Sequence, residues 1–254
     1  MSGDIWRVIE SPQNPRAKLW ADILDGRGIK RHGEFLLAGR KSVPEALARH
    51  GGRFHALIAA DPGEAAGLAL PDHIDRFRVT RSLFDRLDVS GTGFPLLVGK
   101  VPEMTTADLA APPVGIELIV ALGDPANLGA LFRSAAAFGA RRIVLMEEAA
   151  HPFHPKALRA AANAQFELEL MRGPSWAALD AAQGPIFALD AGGEDMGAFV
   201  WPKALRLVLG EEGKGLPAGL KVKRLAVPMT GAVESLNATV AASLALFSHF
   251  LASR

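Results

Sequence analysis

The 254-residue chain sets 28 Lys+Arg against 27 Asp+Glu, is 49% hydrophobic and contains no cysteine. Zero cysteine excludes disulfides, thiolate metal sites, iron–sulfur clusters and a cysteine nucleophile. A formal charge of +1 excludes a polybasic coat, so any nucleic-acid surface must be local, and the apolar content is too high for a disordered chain.

In the N-terminal part, Asn14 and Pro15 start a helix through KLWADILDG, with Gly26 as its expected stop. EFLLAG (34–39) and FHALIAA (54–60) read as strands, with VPEALARHG (43–51) helical between them. RFRVT (76–80), SLFDRL (82–87) and FPLLVGKV (94–101) continue strand, helix, strand, which predicts a small parallel or mixed sheet covered by helices. Nine cations lie between residues 13 and 53 against Asp22, Asp25, Glu34 and Glu45, a local excess of five. Within that stretch Arg16, Lys18, Lys30, Arg31 and Arg40 are the candidate contacts for RNA phosphates, because each cation that meets a phosphate releases counterions.

KVPEMTTADLAAPP (100–113) reads as a linker, so one domain is expected over 1–106 and a second over 107–254. Beyond it IELIVAL (116–122) is a buried strand, followed by a helix from Asn127 to Phe138, the strand RIVLM (142–146) and a helix HPKALRAAANA (154–164). FELELM (166–171), a helix through WAALDAAQ, then IFALD (186–190), LRLVLG (205–210) and RLAVPM (224–229) lead to a closing helix over 235–252. Continuous apolar strands alternating with helices indicate a parallel sheet buried on both faces. The longest apolar stretches are too short to span a bilayer, and the N-terminal residues lack the pattern of a secretion signal; a soluble, cytoplasmic protein is expected.

Ligands of parallel sheets gather at the carboxyl ends of strands. Three loops there are rich in glycine and polar residues: 123–140, 207–217 and 227–242. No complete G-x-G-x-x-G, Walker A, G-x-S-x-G or H-E-x-x-H pattern is present, which argues against dinucleotide, P-loop, serine-hydrolase and zincin chemistry. His151 and His154 form H-x-x-H between prolines with no carboxylate cluster beside them, so no metal is expected.

The three loops resemble the three motifs of the SpoU-type RNA 2′-O-ribose methyltransferases of the SPOUT superfamily. Asn127, Gly129 and Arg133 match motif one; Gly210, Glu211, Gly213 and Gly215 are aligned with motif two; Pro228, Met229, Gly231, Ser235, Leu236 and Asn237 match motif three. Residues 14–47 are similar, more loosely, to the small substrate-binding domain that precedes many members. The resemblance implies a deep trefoil knot in the C-terminal domain, a homodimer, S-adenosyl-L-methionine as cofactor and RNA as substrate. Large-subunit ribosomal RNA is favoured by the two-domain layout, with transfer RNA, or a knotted RNA-binding or ribosome-assembly protein without turnover, as alternatives. It further implies cofactor contacts at Leu209, Gly210, Gly215, Val227, Met229, Ser235 and Leu236, and catalysis by Arg133 with Asn127, Glu211, Ser235 and Asn237 around it. Because a guanidinium normally stays protonated, stabilising a developing alkoxide or clamping a phosphate suits Arg133 better than acting as a base. Glu211 is placed to pair with Arg133 or a substrate hydroxyl. Ala161 and Asn163 replace a serine and a glycine common in the family.

Overall fold

The computed structural model describes residues 5–254 and divides into two compact units. The first comprises the described residues up to Pro102 together with His151–Phe166; the second comprises Glu103–Ala150 and Glu167–Arg254.

In the first unit the chain runs β1 (Trp6–Ile9), α1 (Pro15–Asp22), α2 (Gly26–His32), β2 (Glu34–Leu37), α3 (Ser42–His50), β3 (Phe54–Ala59), β4 (Asp75–Val79), α4 (Arg81–Leu87) and β5 (Leu96–Lys100). The sheet order is β1-β4-β3-β5-β2, parallel from β1 through β3 and antiparallel where β5 meets its neighbours, so the mixed sheet expected from the sequence is present. Gly26 is not a helix stop. It opens α2, with the Asp25 carboxylate capping Arg27 and Gly28 N–H, and the stop is Gly33 at φ 65°. The edge strand β1 has no counterpart in the sequence reading, since four residues of mixed polarity carry too little periodicity to declare a strand.

The second unit contains β6 (Ile116–Val120), α5 (Pro125–Ala137) and β7 (Arg142–Leu145). After the segment 151–166, which carries α6 (Pro155–Ala161) and belongs to the first unit, it resumes with β8 (Glu169–Arg172), β9 (Ile186–Asp195), β10 (Leu205–Leu209), β11 (Lys223–Ala226) and α7 (Ala238–Ala252). The helix expected over 154–164 stops at Ala161, because Ala162 and Asn163 adopt φ 48° and 70°. WAALDAAQ forms 3-10 turns rather than an α-helix. The segment's Phe153 and Phe166 close the first unit's core, their ring centroids 4.8 and 6.1 Å from that of Phe35.

All five pairings of the second sheet are parallel, in the order β11-β9-β10-β6-β7-β8. Its central strands β6 and β10 are buried at every residue, as continuous apolar runs require. An ion pair is sunk in this core. The Arg206 guanidinium, 2% exposed, meets Glu117 Oε2 at 3.0 Å and donates to the carbonyls of Leu109, Gln183 and Ala111 at 3.3, 2.7 and 2.7 Å. It ties the chain entering the sheet to the amino ends of its strands. From β6 the chain builds outward to β7 and β8, while β10, β9 and β11 lie on β6's other side, so direction reverses between β6 and β10. Such a switch point opens a crevice at the carboxyl ends of the strands.

Candidate functional site

The loops after β6, β10 and β11 meet at that crevice. Beside this junction a cavity of about 540 Å³ lies between the ends of β9, β10 and β11 and the start of α7, within the ~300–1,000 Å³ typical of small-molecule sites. Leu209, Gly210, Gly215, Val227, Met229, Ser235 and Leu236, the expected cofactor contacts, all line it. Its walls are largely apolar side chains and loop backbone, a lining that holds a flat heteroaromatic ligand by packing and main-chain hydrogen bonds.

The loop after β10 is a tight reversal in which Glu211 N–H donates to Gly215 O at 3.0 Å and Gly215 N–H to Glu211 O at 2.9 Å. Gly210 is required by space: a Cβ there would stand 2.4 Å from the Gly215 carbonyl carbon and oxygen. Gly213 is required by conformation, with φ +85° and nothing near its Cβ position.

Asp124, not Asn127, caps α5, accepting from Asn127 N–H at 2.8 Å. The Asn127 side chain is therefore released for other work. Its Nδ2 donates to Glu212 Oε1 at 3.2 Å, and its Oδ1 accepts from Asn237 Nδ2 at 3.2 Å. Glu212 Oε2 also accepts from Gly123 N–H at 2.8 Å, and Thr239 Oγ1 donates to Asn127 O at 3.0 Å. Asn237 caps α7 through Thr239 and Val240 N–H while it donates to Asn127, so capping and site-building are one arrangement. Glu212 thus bridges the first two loops and Asn237 joins the third to them.

The carboxylate joined to motif one is Glu212, not Glu211. Counted strictly, glycine–any–glutamate from Gly210 also falls on Glu212. Glu211 instead binds Lys214 Nζ at 3.0 Å, and that hydrogen bond raises the lysine's pKa. Ser235 lines the cavity. Arg133 is exposed on α5 and makes no hydrogen bond or ion pair among the described residues, so its charge is available to a ligand but is not joined to the asparagine network. Asp190, which the sequence reading did not single out, lines the cavity and takes Arg224 Nη1 at 2.8 Å. The β9–β11 pairing steps from Ala188 to Glu194 while β11 advances one residue, so residues 189–193 are looped out there. The glycine pair at 192–193 was the available signal for such a bulge.

Of the candidate RNA contacts in the first unit, Arg31 Nη1 is held by Asp22 at 2.7 Å, and Arg40 donates to the carbonyls of Thr92 and Gly93. Arg16 lies over the Phe77 ring at 4.7 Å. Lys18 and Lys30 make no ion pair among the described residues. No group of three or more metal-ligating side chains is found among the described residues.

Residues 117–247 match the family model described as the SpoU rRNA Methylase family. The chain belongs to the SpoU rRNA methylase family. The matched segment contains all three loops that meet at the cavity. Over 96% of its length the chain is 40% identical to the ribosomal RNA small subunit methyltransferase G 2 of Syntrophobacter fumaroxidans, but it spans only 49% of that relative. It is 29% identical to the 23S rRNA (guanosine(2553)-2′-O)-methyltransferase RlmP of Bacillus subtilis, covering 95% of this chain and 98% of RlmP. The fold of this SpoU methylase matches that of the SpoU methyltransferase AviRb from Streptomyces viridochromogenes, solved with AdoMet, at a TM-score of 0.77 and 24% identity, covering 94% and 98% of the two chains.

Proposed function

We propose that the protein methylates a ribose 2′-hydroxyl of RNA, using S-adenosyl-L-methionine and acting on large-subunit ribosomal RNA in the cytoplasm. The observation that carries this reading is the asparagine–glutamate network beside a glycine-walled cavity at the carboxyl ends of β9, β10 and β11. The near full-length likeness to RlmP supports the ribose and the ribosomal substrate.

The cavity residues fit the cofactor: Gly210 allows a close approach to backbone, and Leu209, Val227, Met229 and Leu236 offer apolar packing. When bound, S-adenosylmethionine supplies a methyl group on a sulfonium, ready for in-line displacement. Asn127 and Asn237 orient the ribose with neutral donors and acceptors, their amides fixed by Glu212 and by the α7 cap. Arg133 holds the adjacent phosphate and stabilises negative charge on the 2′-oxygen as its proton leaves to solvent. Ser235 completes the wall facing the ribose.

The first unit is read as the RNA-binding domain and the second as the catalytic one. The knot reading is supported by β10 entering between β6 and β9 after β9 has been laid down. A homodimer is supported by α7, where Val240, Leu244, Phe247 and Leu251 are 39–51% exposed and repeat at helical spacing, a stripe suited to a second copy.

The test uses purified protein, methyl-labelled cofactor and unmodified large-subunit ribosomal RNA, followed by alkaline hydrolysis. Label in alkali-resistant dinucleotides is the expected result, and label in mononucleotides would overturn the ribose assignment. Arg133→Ala is expected to lose nearly all transfer with cofactor affinity little changed; comparable turnover would remove Arg133 from the mechanism.

A further inference from the structure

The first unit carries a second pocket, of about 420 Å³, lined by Pro12, Gln13, Lys18, Ala21, Asp22 and Arg86. Its two cations come from different helices, Lys18 from α1 and Arg86 from α4. Both are exposed, and neither makes a hydrogen bond or ion pair among the described residues. Lys18 has an obvious partner in Asp22, since residues four apart on a helix stand about 5–6 Å apart at Cβ. The structure does not make that pair: Asp22 Oδ2 is held at 2.7 Å by both Arg31 Nη1 and His32 Nε2, and Lys18 Nζ stays apart from the carboxylate. Gly28 permits the packing behind it, because a Cβ there would lie 1.9 Å from Asp22 O.

Among the described residues, therefore, the pocket presents two cations without a partner beside a carboxylate whose second oxygen, Oδ1, accepts no hydrogen bond. A site for a bare phosphate has no use for that oxygen, which would repel it. A ribonucleotide uses both features, since its phosphate needs the cations and its 2′-hydroxyl, a donor, needs an acceptor. We propose that this pocket is a ribonucleotide subsite of the substrate domain, in which Lys18 and Arg86 hold a backbone phosphate and Asp22 Oδ1 accepts the 2′-hydroxyl of the same nucleotide. Gln13, on the rim, offers its amide to the base edge. Of the basic stretch, only Lys18 takes part; Arg86 lies far along the chain, and Arg31 serves by neutralising and aiming Asp22. This inference rests on RNA being the substrate, and gives the first unit a means of telling RNA from DNA.

The experiment measures binding of a labelled 12-nucleotide uridine RNA and the matching DNA to the full chain by fluorescence anisotropy over a salt series. Wild type should favour the RNA. Lys18→Ala with Arg86→Ala should weaken RNA binding about tenfold and lower the log–log salt slope by about 1.4, each cation contributing roughly 0.7 on a single strand. The charge-matched pair Arg141→Ala with Lys203→Ala should change affinity far less. Asp22→Ala should bring the RNA and DNA affinities together, and Asp22→Asn, which keeps an acceptor, should restore the preference. An unchanged slope in the Lys18/Arg86 variant, equal weakening by the control pair, or an RNA preference that survives Asp22→Ala would overturn the subsite. Transfer of label to ribosomal RNA by the same preparations separates the two readings. If wild type methylates RNA while these affinities do not respond, the subsite is wrong and the activity stands; if wild type neither binds nor methylates RNA, the activity reading itself fails.

Discussion

Replacing Gly210 by alanine puts a methyl group 2.4 Å from the Gly215 carbonyl, and 2.8 Å from Leu216 N. The obstructing atoms are backbone, so the loop itself must retreat by about 1 Å to reach ordinary van der Waals contact. The loop is closed by the paired hydrogen bonds between Glu211 and Gly215, each worth roughly 0.5–1.5 kcal/mol. Losing that closure costs about 1–3 kcal/mol of cavity organisation, a roughly 5- to 150-fold weaker cofactor affinity. Global stability should change little, since residues 212–215 are exposed. The assay is calorimetric titration with S-adenosylmethionine, beside urea unfolding of the same samples. Gly213 supplies the internal contrast: its Cβ has open space, but φ is +85°, so Gly213→Asn, a residue that tolerates the left-handed region, should be milder than Gly213→Ala. At Gly210 asparagine should be no better than alanine. A Gly210→Ala protein that binds the cofactor within about threefold of wild type, under 1 kcal/mol, would refute the steric argument.

Glu212→Ala should release the Asn127 amide and Gly123 N–H and lower the transfer rate about 10- to 100-fold, as small misplacements of a positioned group do; unchanged kinetics would make Glu212 a loop carboxylate only. Arg206→Ala leaves Glu117 buried without its innermost partner and strands three carbonyls, so urea unfolding should show a loss of about 3–5 kcal/mol. Burial, with the nearby charges of Lys30 and His154, lowers the His151 pKa to about 4. Between that value and about 6.5 the unfolded chain binds a proton that the folded one does not, so stability rises with pH across this window and acidification removes about 3 kcal/mol. His151→Gln should flatten this part of the pH–stability curve, and a curve of unchanged shape would show that His151 is not its source.

The second sheet was legible because buried parallel strands are written as uninterrupted apolar runs, IELIV and LRLVL among them, and because three polar loops interrupt the pattern at its strand ends. The cavity lining followed from the motif residues in those loops. The sequence was less informative where one residue's offset decides a role. Glu211 and Glu212 are chemically identical neighbours, and only the folded hairpin turns one toward Lys214 and the other toward Asn127. Asp124 and Asn127 both suit a helix start, and the choice between them decides whether Asn127 has a free amide. Gly26 could end one helix or begin another, and Asp25 one position earlier settles the matter by capping. Asp190 carries no local signal, because its place in the wall depends on the looping-out of β9 against a strand more than thirty residues away.

The insertion of residues 151–166 into the first unit has a consequence for how the chain comes off the ribosome. Phe35 packs on Phe153 and Phe166, so the aromatic centre of the N-terminal unit is encoded in two places. When Pro102 has emerged, the first sheet has all its strands but an unfilled centre. Synthesis must pass Phe166 before that centre closes, and by then β6, α5 and β7 are already available to pair. The usual schedule, in which the leading domain finishes before the next begins, is unavailable to this chain. For the same reason a cut at the apparent linker near residue 105 would not release a finished N-terminal piece, and truncations meant to isolate the first unit need α6 returned through a designed connection.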